Sequence, residues 1–166
     1  ASINYKYSDT GNVYARYERG FRSPSPTELV DKSSIKGYLL NGVKPETYDT
    51  YEVGIKDMIA NSYLSLTGFY TKTKNEISII WEPQGFMRNW KYENLDETER
   101  KGFELFAEQY LGKFRISESL SYVNAKITKG AKKGQKVAYV PSTKATLGLS
   151  YDIALGLSLK TDINYL

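Results

Sequence analysis

From Ile3 to Tyr165 apolar and polar residues repeatedly alternate, in runs of about ten, which sends successive side chains to opposite faces of a β-strand. Residues 3–7 (INYKY) open the pattern, Ser8-Asp9-Thr10-Gly11 supplies a turn, and a second run follows over Asn12 to Gly20. Thr47 to Lys56 sets Tyr51, Val53 and Ile55 against Thr50, Glu52, Gly54 and Lys56, and after the short turn Asp57 to Ser62 the run Tyr63 to Lys74 continues. Thr98 to Leu111 sets Phe103, Leu105 and Ala107 against Gly102, Glu104 and Glu108. After the turn at Leu111-Gly112-Lys113-Phe114, Arg115 to Thr128 alternates less cleanly. Ile116, Leu120 and Tyr122 there share a face with Glu118, which a lipid-facing stripe should hold only near a membrane edge. Two regular runs close the series: Ala145, Leu147, Leu149 and Tyr151 oppose Lys144, Thr146, Gly148 and Ser150, and Leu157, Leu159, Ile163 and Tyr165 follow beyond Asp152 to Gly156.

The connections carry the second signal. Phe21 to Glu46, Glu76 to Glu97 and Lys129 to Ser142 are long, polar and Gly/Pro-bearing, the first without sustained period, and they alternate with very short turns. In a meander this rhythm puts all long connections at one end, as in a transmembrane β-barrel with short periplasmic turns and long extracellular loops. The expected fold is therefore all-β: an antiparallel transmembrane β-barrel fragment of about eight strands in up-and-down order. One helical turn is expected after Pro26. A soluble β-sandwich shows the same alternation, and eight strands can also close as a small or porin-like barrel; the ordering of connections favours the large-barrel wall.

Composition changes this picture little. The longest uncharged run, Met58 to Thr71, is too short and too mixed for the roughly 20 apolar residues of a spanning helix. A mean hydropathy of −0.51 does not oppose a barrel, because every second side chain faces a polar interior. Fifteen Tyr against six Phe is a heavy loading of the amphipathic rings enriched at membrane interfaces. The net charge of +4 draws much on Lys129, Lys132, Lys133 and Lys136, a loop suited to lipopolysaccharide phosphates or to plain solvation. One basic loop does not make a nucleic-acid surface. The absence of His and Cys removes Ser-His and Cys-His catalysis and the usual zinc sites, so neither enzyme activity nor a resident cofactor is expected. Asp96, Glu97 and Glu99, flanked by Arg100 and Lys101, read as a strand entrance rather than an acid-base pair. Ala1 follows no signal peptide and Leu166 stops within an alternating run, so residues 1–166 read as one partial barrel domain of a longer protein.

The residues also resemble a known family. VYARYERGFRSPSPTEL (Val13 to Leu29) and VKPETYDTYEVGIK (Val43 to Lys56) are similar to the barrel of TonB-dependent outer-membrane receptors, with a Gly-Phe-Arg-x-Pro box and a Lys-Pro-Glu segment opening a strand with Glu-x-Gly. Leu64 to Ile77, Tyr92 to Leu111, Leu120 to Ile127 and Tyr139 to Tyr151 resemble successive strands of that family, in order. The resemblance implies a barrel of about 22 strands with a plugged lumen, of which this chain is a carboxy-proximal third, without plug, coupling box or terminal strand. It implies a bacterial outer-membrane location and energy-coupled uptake of a chelated metal such as a ferric siderophore. The implied partners are that chelate, outer-membrane lipid and a periplasmic energy-coupling protein acting through the plug. The Phe21-Arg22-Ser23-Pro24 box is also met in haem-uptake members, but without a loop histidine a siderophore or cobalamin-like cargo is expected instead. That box reads as a strand-to-loop bend, with Pro24 and Pro26 fixing φ.

Trp81, Phe86, Met87, Arg88, Trp90, Lys91 and Tyr92 concentrate aromatic and cationic groups in one long connection. Flat faces and donors suit an anionic, aromatic-rich chelate through stacking and cation-π contact, so Trp81, Arg88, Trp90, Lys91 and Tyr92 are the candidate ligand-binding residues. The alternative is that these rings pack against neighbouring loops or mark the membrane interface.

Overall fold

The computed structural model describes residues 1–31, 39–40, 42–84 and 87–166; for residues 31, 39, 82–84 and 87–89 only the backbone is described. Among these residues ten strands are formed: β1 (Ser2–Lys6), β2 (Asn12–Arg22), β3 (Val30–Asp31), β4 (Leu39–Leu40), β5 (Glu46–Ile59), β6 (Ser62–Gln84), β7 (Met87–Leu111), β8 (Phe114–Lys129), β9 (Thr143–Ala154) and β10 (Leu157–Tyr165). Eight of them make one antiparallel sheet in the order β1-β2-β5-β6-β7-β8-β9-β10, and β3-β4 is a two-residue ribbon within the first long connection. This is the expected up-and-down wall. No second large sheet faces it among the described residues, so a sandwich is not formed. Nor do β1 and β10 pair with each other among those residues, so the eight strands remain an open wall. After Pro26 the chain makes a single turn, with the Ser25 carbonyl accepting from the N–H groups of Glu28 (3.0 Å) and Leu29 (3.2 Å).

Register shows how the apolar positions combine. Tyr5, Val13, Ile55, Leu66, Leu105, Leu120, Ala145 and Tyr165 are successive cross-strand partners, so one row crosses the whole wall. Alternation then gives the other face Thr67, Glu104, Ser121 and Lys144. The apolar face is the outer one, since a spanning barrel needs an apolar band outside and tolerates polar groups inside. Leu147 and Leu149 are exposed on it, while Gly148 and Ser150 are buried on the inner face, as the alternation of β9 predicts.

The height of the band can be counted from the two-residue turns. Tyr51 lies nine residues before Ala60 and Tyr70 nine after Asn61; Phe103 lies nine before Gly112 and Tyr122 nine after Lys113. Nine residues at about 3.3 Å each, tilted by roughly 40°, rise about 23 Å, close to the ~25 Å apolar band of outer-membrane barrels. Rings therefore mark one boundary, with Tyr17–Tyr51, Tyr51–Tyr70 and Phe103–Tyr122 centroids at 5.1, 6.3 and 5.9 Å. Glu118 does not lie at an edge. Its partners are Ala107 and Leu147, and it stands five residues from Lys113, half-way up the band. Strand β8 is nonetheless formed and paired on both sides, because the ladder does not depend on that one side chain.

One connection differs from expectation. Glu76 to Glu97 is mostly ladder: β6 and β7 stay paired to Gln84↔Met87, so this segment is a two-stranded arm standing above the wall. Its polar, Gly/Pro-bearing sequence reads as a connection, whereas Ile77, Ile79 and Trp81 are strand formers, and Pro83 falls near the tip. Phe86 lies outside the described residues.

The free edges of β1 and β10, together with the exposed outer face, yield a testable expectation. Unpaired edges and apolar surface both drive association. In detergent-free buffer the isolated 166-residue chain should self-associate, and light scattering reporting a stable monomer would contradict the membrane face.

Candidate functional site

At the end of the wall that carries the long connections, sequence segments far apart meet in one polar clasp. Arg22, the last residue of β2, donates from Nε to Glu46 Oε1 at 2.9 Å and from Nη1 to both carboxylate oxygens of Glu28 at 2.9 and 3.1 Å. Glu28 in turn accepts from the Ser25 N–H at 2.7 Å, and Glu46 accepts from the Ile77 N–H at 3.0 Å. The Phe-Arg-x-Pro box is thus a bend, as expected, and its arginine ties that bend to the Lys-Pro-Glu segment and to β6.

A second pair extends the clasp. Asn75, at φ 54°, interrupts the ladder between Lys74↔Glu97 and Glu76↔Leu95, a left-handed conformation that Asn tolerates better than most residues. Beyond this kink the Glu76 carboxylate accepts two bonds from Arg100, at 2.8 and 2.6 Å, and one from Thr98. Asn94 secures the first long connection: it accepts from the Lys44 N–H at 2.7 Å and donates to the carbonyls of Lys44 and Asn75 at 2.9 and 2.7 Å.

Burial alone would push the Glu76 carboxyl up, but the bonds from Arg100 and Thr98 and the guanidinium charge outweigh it and hold the group below its ordinary value. Glu28 behaves likewise: burial raises it, and the bonds from Ser25 and Arg22 more than compensate. Depressed carboxylates contribute stability that is complete above the unfolded value, about 4.3, and is lost as pH falls through the folded value. Acid below about pH 4 should therefore release the first long connection, seen as faster limited proteolysis within it in the intact protein. Arg100→Ala, which strands a largely buried carboxylate, should cost about 2 kcal/mol and reproduce that sensitivity at neutral pH. Unchanged cleavage in both conditions would remove the clasp from the account.

The third long connection folds back over the inner face. Val137 packs with Leu95, Ala125 and Ile127, and Val123 and Val140 join them. Lys132 reaches Glu93 at 2.8 Å, while Lys129 and Lys72 hold Glu97 at 3.0 and 3.1 Å. Glu93 and Glu97 are thus ion-paired anchors, and two lysines of the basic loop are engaged within the chain.

The candidate binding residues sit on the arm. Trp81 and Trp90 are direct cross-strand partners, and Tyr92 pairs with Ile79 on the same side. The Trp90 and Tyr92 rings meet edge to face at 5.5 Å and 87°, an arrangement the ring quadrupoles favour. Arg88 pairs with Pro83 two residues beyond the tryptophans; its side chain and that of Met87 lie outside the described residues. Lys91, the partner of Ile80, stands on the opposite side. The arm therefore gathers Trp81, Trp90 and Tyr92 and separates Lys91 from them.

Sequence reasoning missed Tyr139. Its hydroxyl accepts from Trp81 Nε1 at 3.0 Å, 58 positions away in the chain. Tyr139 is 78% exposed and adopts φ 59°, a conformation uncommon for a bulky residue. An aromatic residue just before Val140-Pro141 in an otherwise polar connection was the available signal.

Comparison with known proteins agrees with this geometry. A family model described as TonB dependent receptor-like, beta-barrel, matches residues 1–165. The chain is 26% identical over 172 residues to a protein described as probable TonB-dependent siderophore receptor PiuA of Acinetobacter baumannii, covering 92% of this chain and 22% of that protein. It is 26% identical over 162 residues to the ferrioxamine B receptor of Salmonella typhimurium, covering 95% and 21%. Among solved structures, the copper transporter OprC superposes with a TM-score of 0.76 at 19% identity, over 92% of this chain and 24% of that one. The ferric yersiniabactin uptake receptor FyuA from Yersinia pestis gives 0.71 at 20%, over 98% and 24%. The chain thus spans between a fifth and a quarter of the length of these proteins.

Proposed function

Because this chain belongs to the TonB-dependent receptor-like β-barrel family, we propose that it forms a wall segment of an outer-membrane receptor for energy-coupled uptake of a ferric siderophore. The observation that carries the proposal is the family match across residues 1–165, together with curated relatives described as siderophore receptors. The two-residue turns would face the periplasm, and the arm and both long connections the outside. In the whole protein a plug would close the lumen, and a periplasmic coupling protein would act on that plug.

Cargo capture falls in this reading to the arm. Trp81 and Trp90 offer exposed ring surface beside the half-buried Tyr92, with Arg88 as the cationic partner on their side, Lys91 on the other, and Tyr139 holding Trp81 in place. Such rings suit the flat, anionic faces of a ferric chelate. Buried aromatic and Arg anchors commonly dominate a binding energy, so Trp81→Ala, Arg88→Ala or Trp90→Ala should cost about 2 kcal/mol where the residue is a true anchor. The test is binding of radio-iron-loaded hydroxamate and catecholate siderophores to the full-length receptor, followed by uptake with and without the proton gradient. Wild-type affinity in all three variants would move the capture site to other loops or to the plug, and gradient-independent uptake would overturn energy coupling.

A further inference from the structure

Strand glycines in this wall have neighbours that explain them, with one exception. A Cβ at Gly20 would meet the Tyr48 ring, at Gly54 the Tyr14 ring, at Gly102 the backbone of Tyr122, and at Gly148 the side chains of Ser117 and Asp162. All four lie on the inner face. Gly68 lies on the outer face, and a Cβ there would find nothing nearer than Val53 Cγ1 at 3.9 Å. A strand interior loses stability by carrying Gly, and such a residue often marks close approach by a ligand.

Above Gly68 is a hollow of about 750 Å³. Its walls are rings of the boundary row: Tyr51 and Tyr70 on one side, Phe103 and Tyr122 on the other, with Val53 beside the floor. Lys101 and Asn124 line it as well: Lys101 is the register partner of both Tyr70 and Asn124, and the two lie two residues beyond Phe103 and Tyr122 on their own strands. Lys101 is exposed and makes no ion pair among the described residues. Further out, Asp49, Lys72, Glu99 and Lys126 are successive partners whose charges alternate and balance, so Lys101 is the cation that lines the hollow. The hollow is built by β5, β6, β7 and β8, whose neighbouring strands are all present. Completing the barrel would fill its inside and leave this outer surface open.

We propose that this hollow binds one acyl chain of a phosphate-bearing lipid of the outer leaflet, with the chain over Gly68 between the aromatic walls and the phosphate at Lys101. An open apolar hollow with one cation at its edge matches a lipid's tail and headgroup, and it lies at the boundary that faces outside in the orientation proposed above. The inference rests on that membrane reading. Lipid A is the probe, with phosphatidylcholine as a comparator whose phosphate is offset by choline.

The test uses full-length receptor, delipidated in detergent and titrated with lipid A under native mass spectrometry, with insertion into liposomes measured separately. Gly68→Leu fills the floor at a position with room for a side chain, and Lys101→Gln removes the charge. We expect about tenfold weaker lipid A binding in Gly68→Leu and a severalfold loss in Lys101→Gln, both variants inserting normally. Equal lipid A binding by wild type and both variants would overturn the site, as would phosphatidylcholine binding as tight as lipid A. Failure of the wild type to insert would overturn the membrane reading itself, and the site with it.

Discussion

Gly102→Ala should cost the intact barrel roughly 3 kcal/mol, combining overpacking with weakened ladder bonds. A methyl group built on Gly102 would lie 1.9 Å from the Tyr122 carbonyl oxygen and 3.0 Å from the Phe69 ring. The first neighbour is backbone of β8, so relief requires β7 and β8 to separate where Gly102 pairs with Val123. Gly54→Ala meets a movable group instead, the Tyr14 ring at 2.5 Å. Turning that ring away sacrifices the 2.8 Å bond between Tyr14 and Thr67 hydroxyls and the placement of Lys56 over the ring, a loss of about 1 kcal/mol. Gly68→Ala meets only Val53 Cγ1 at 3.9 Å, an ordinary contact, and should gain about 0.5 kcal/mol from reduced chain freedom. Denaturant unfolding of the full-length receptor in micelles would rank the three. A Gly102→Ala variant as stable as wild type would show that the two strands are not held so closely.

Leu66→Arg is the second large effect expected. Leu66 lies between Ile55 and Leu105 in the apolar row and five residues from Asn61, near the middle of the band. Arginine on the lipid face at that depth costs about 2–4 kcal/mol. Thr67→Arg, one residue on, points to the polar interior beside Gly54 and Glu104 and should cost much less. Unfolding of both variants in lipid vesicles measures the difference. Equal penalties would reverse the face assignment. Glu118, at the same height on β8, shows that a single carboxylate is accommodated there, in keeping with the smaller penalty for Asp and Glu than for Arg.

Much of the wall is legible in the sequence. The alternation at β5, β9 and β10 named their faces correctly, because period two is a property of consecutive residues and needs no partner. The order of short and long connections gave the meander, since in an antiparallel ladder every second turn falls at the same end. The family motifs were visible as well, although their physical sense was not.

Tertiary structure decided what those motifs do. Arg22, Glu28, Glu46, Glu76 and Arg100 are spread from position 22 to position 100, and only the sheet order brings their charges within hydrogen-bonding distance. Gly54 looks like any strand glycine until register lays Tyr14 over it. The arm read as a loop because polar residues and a tip proline resemble one, whereas the ladder between Ile77 and Trp81 and their partners is a pairing property that neither strand shows alone. Trp81 could be chosen from composition, but its bond to Tyr139 depends on the third connection folding back over the sheet. Local periodicity settles which way a side chain points; which residue it meets is settled by packing between segments distant in sequence, where no short-range pattern reaches.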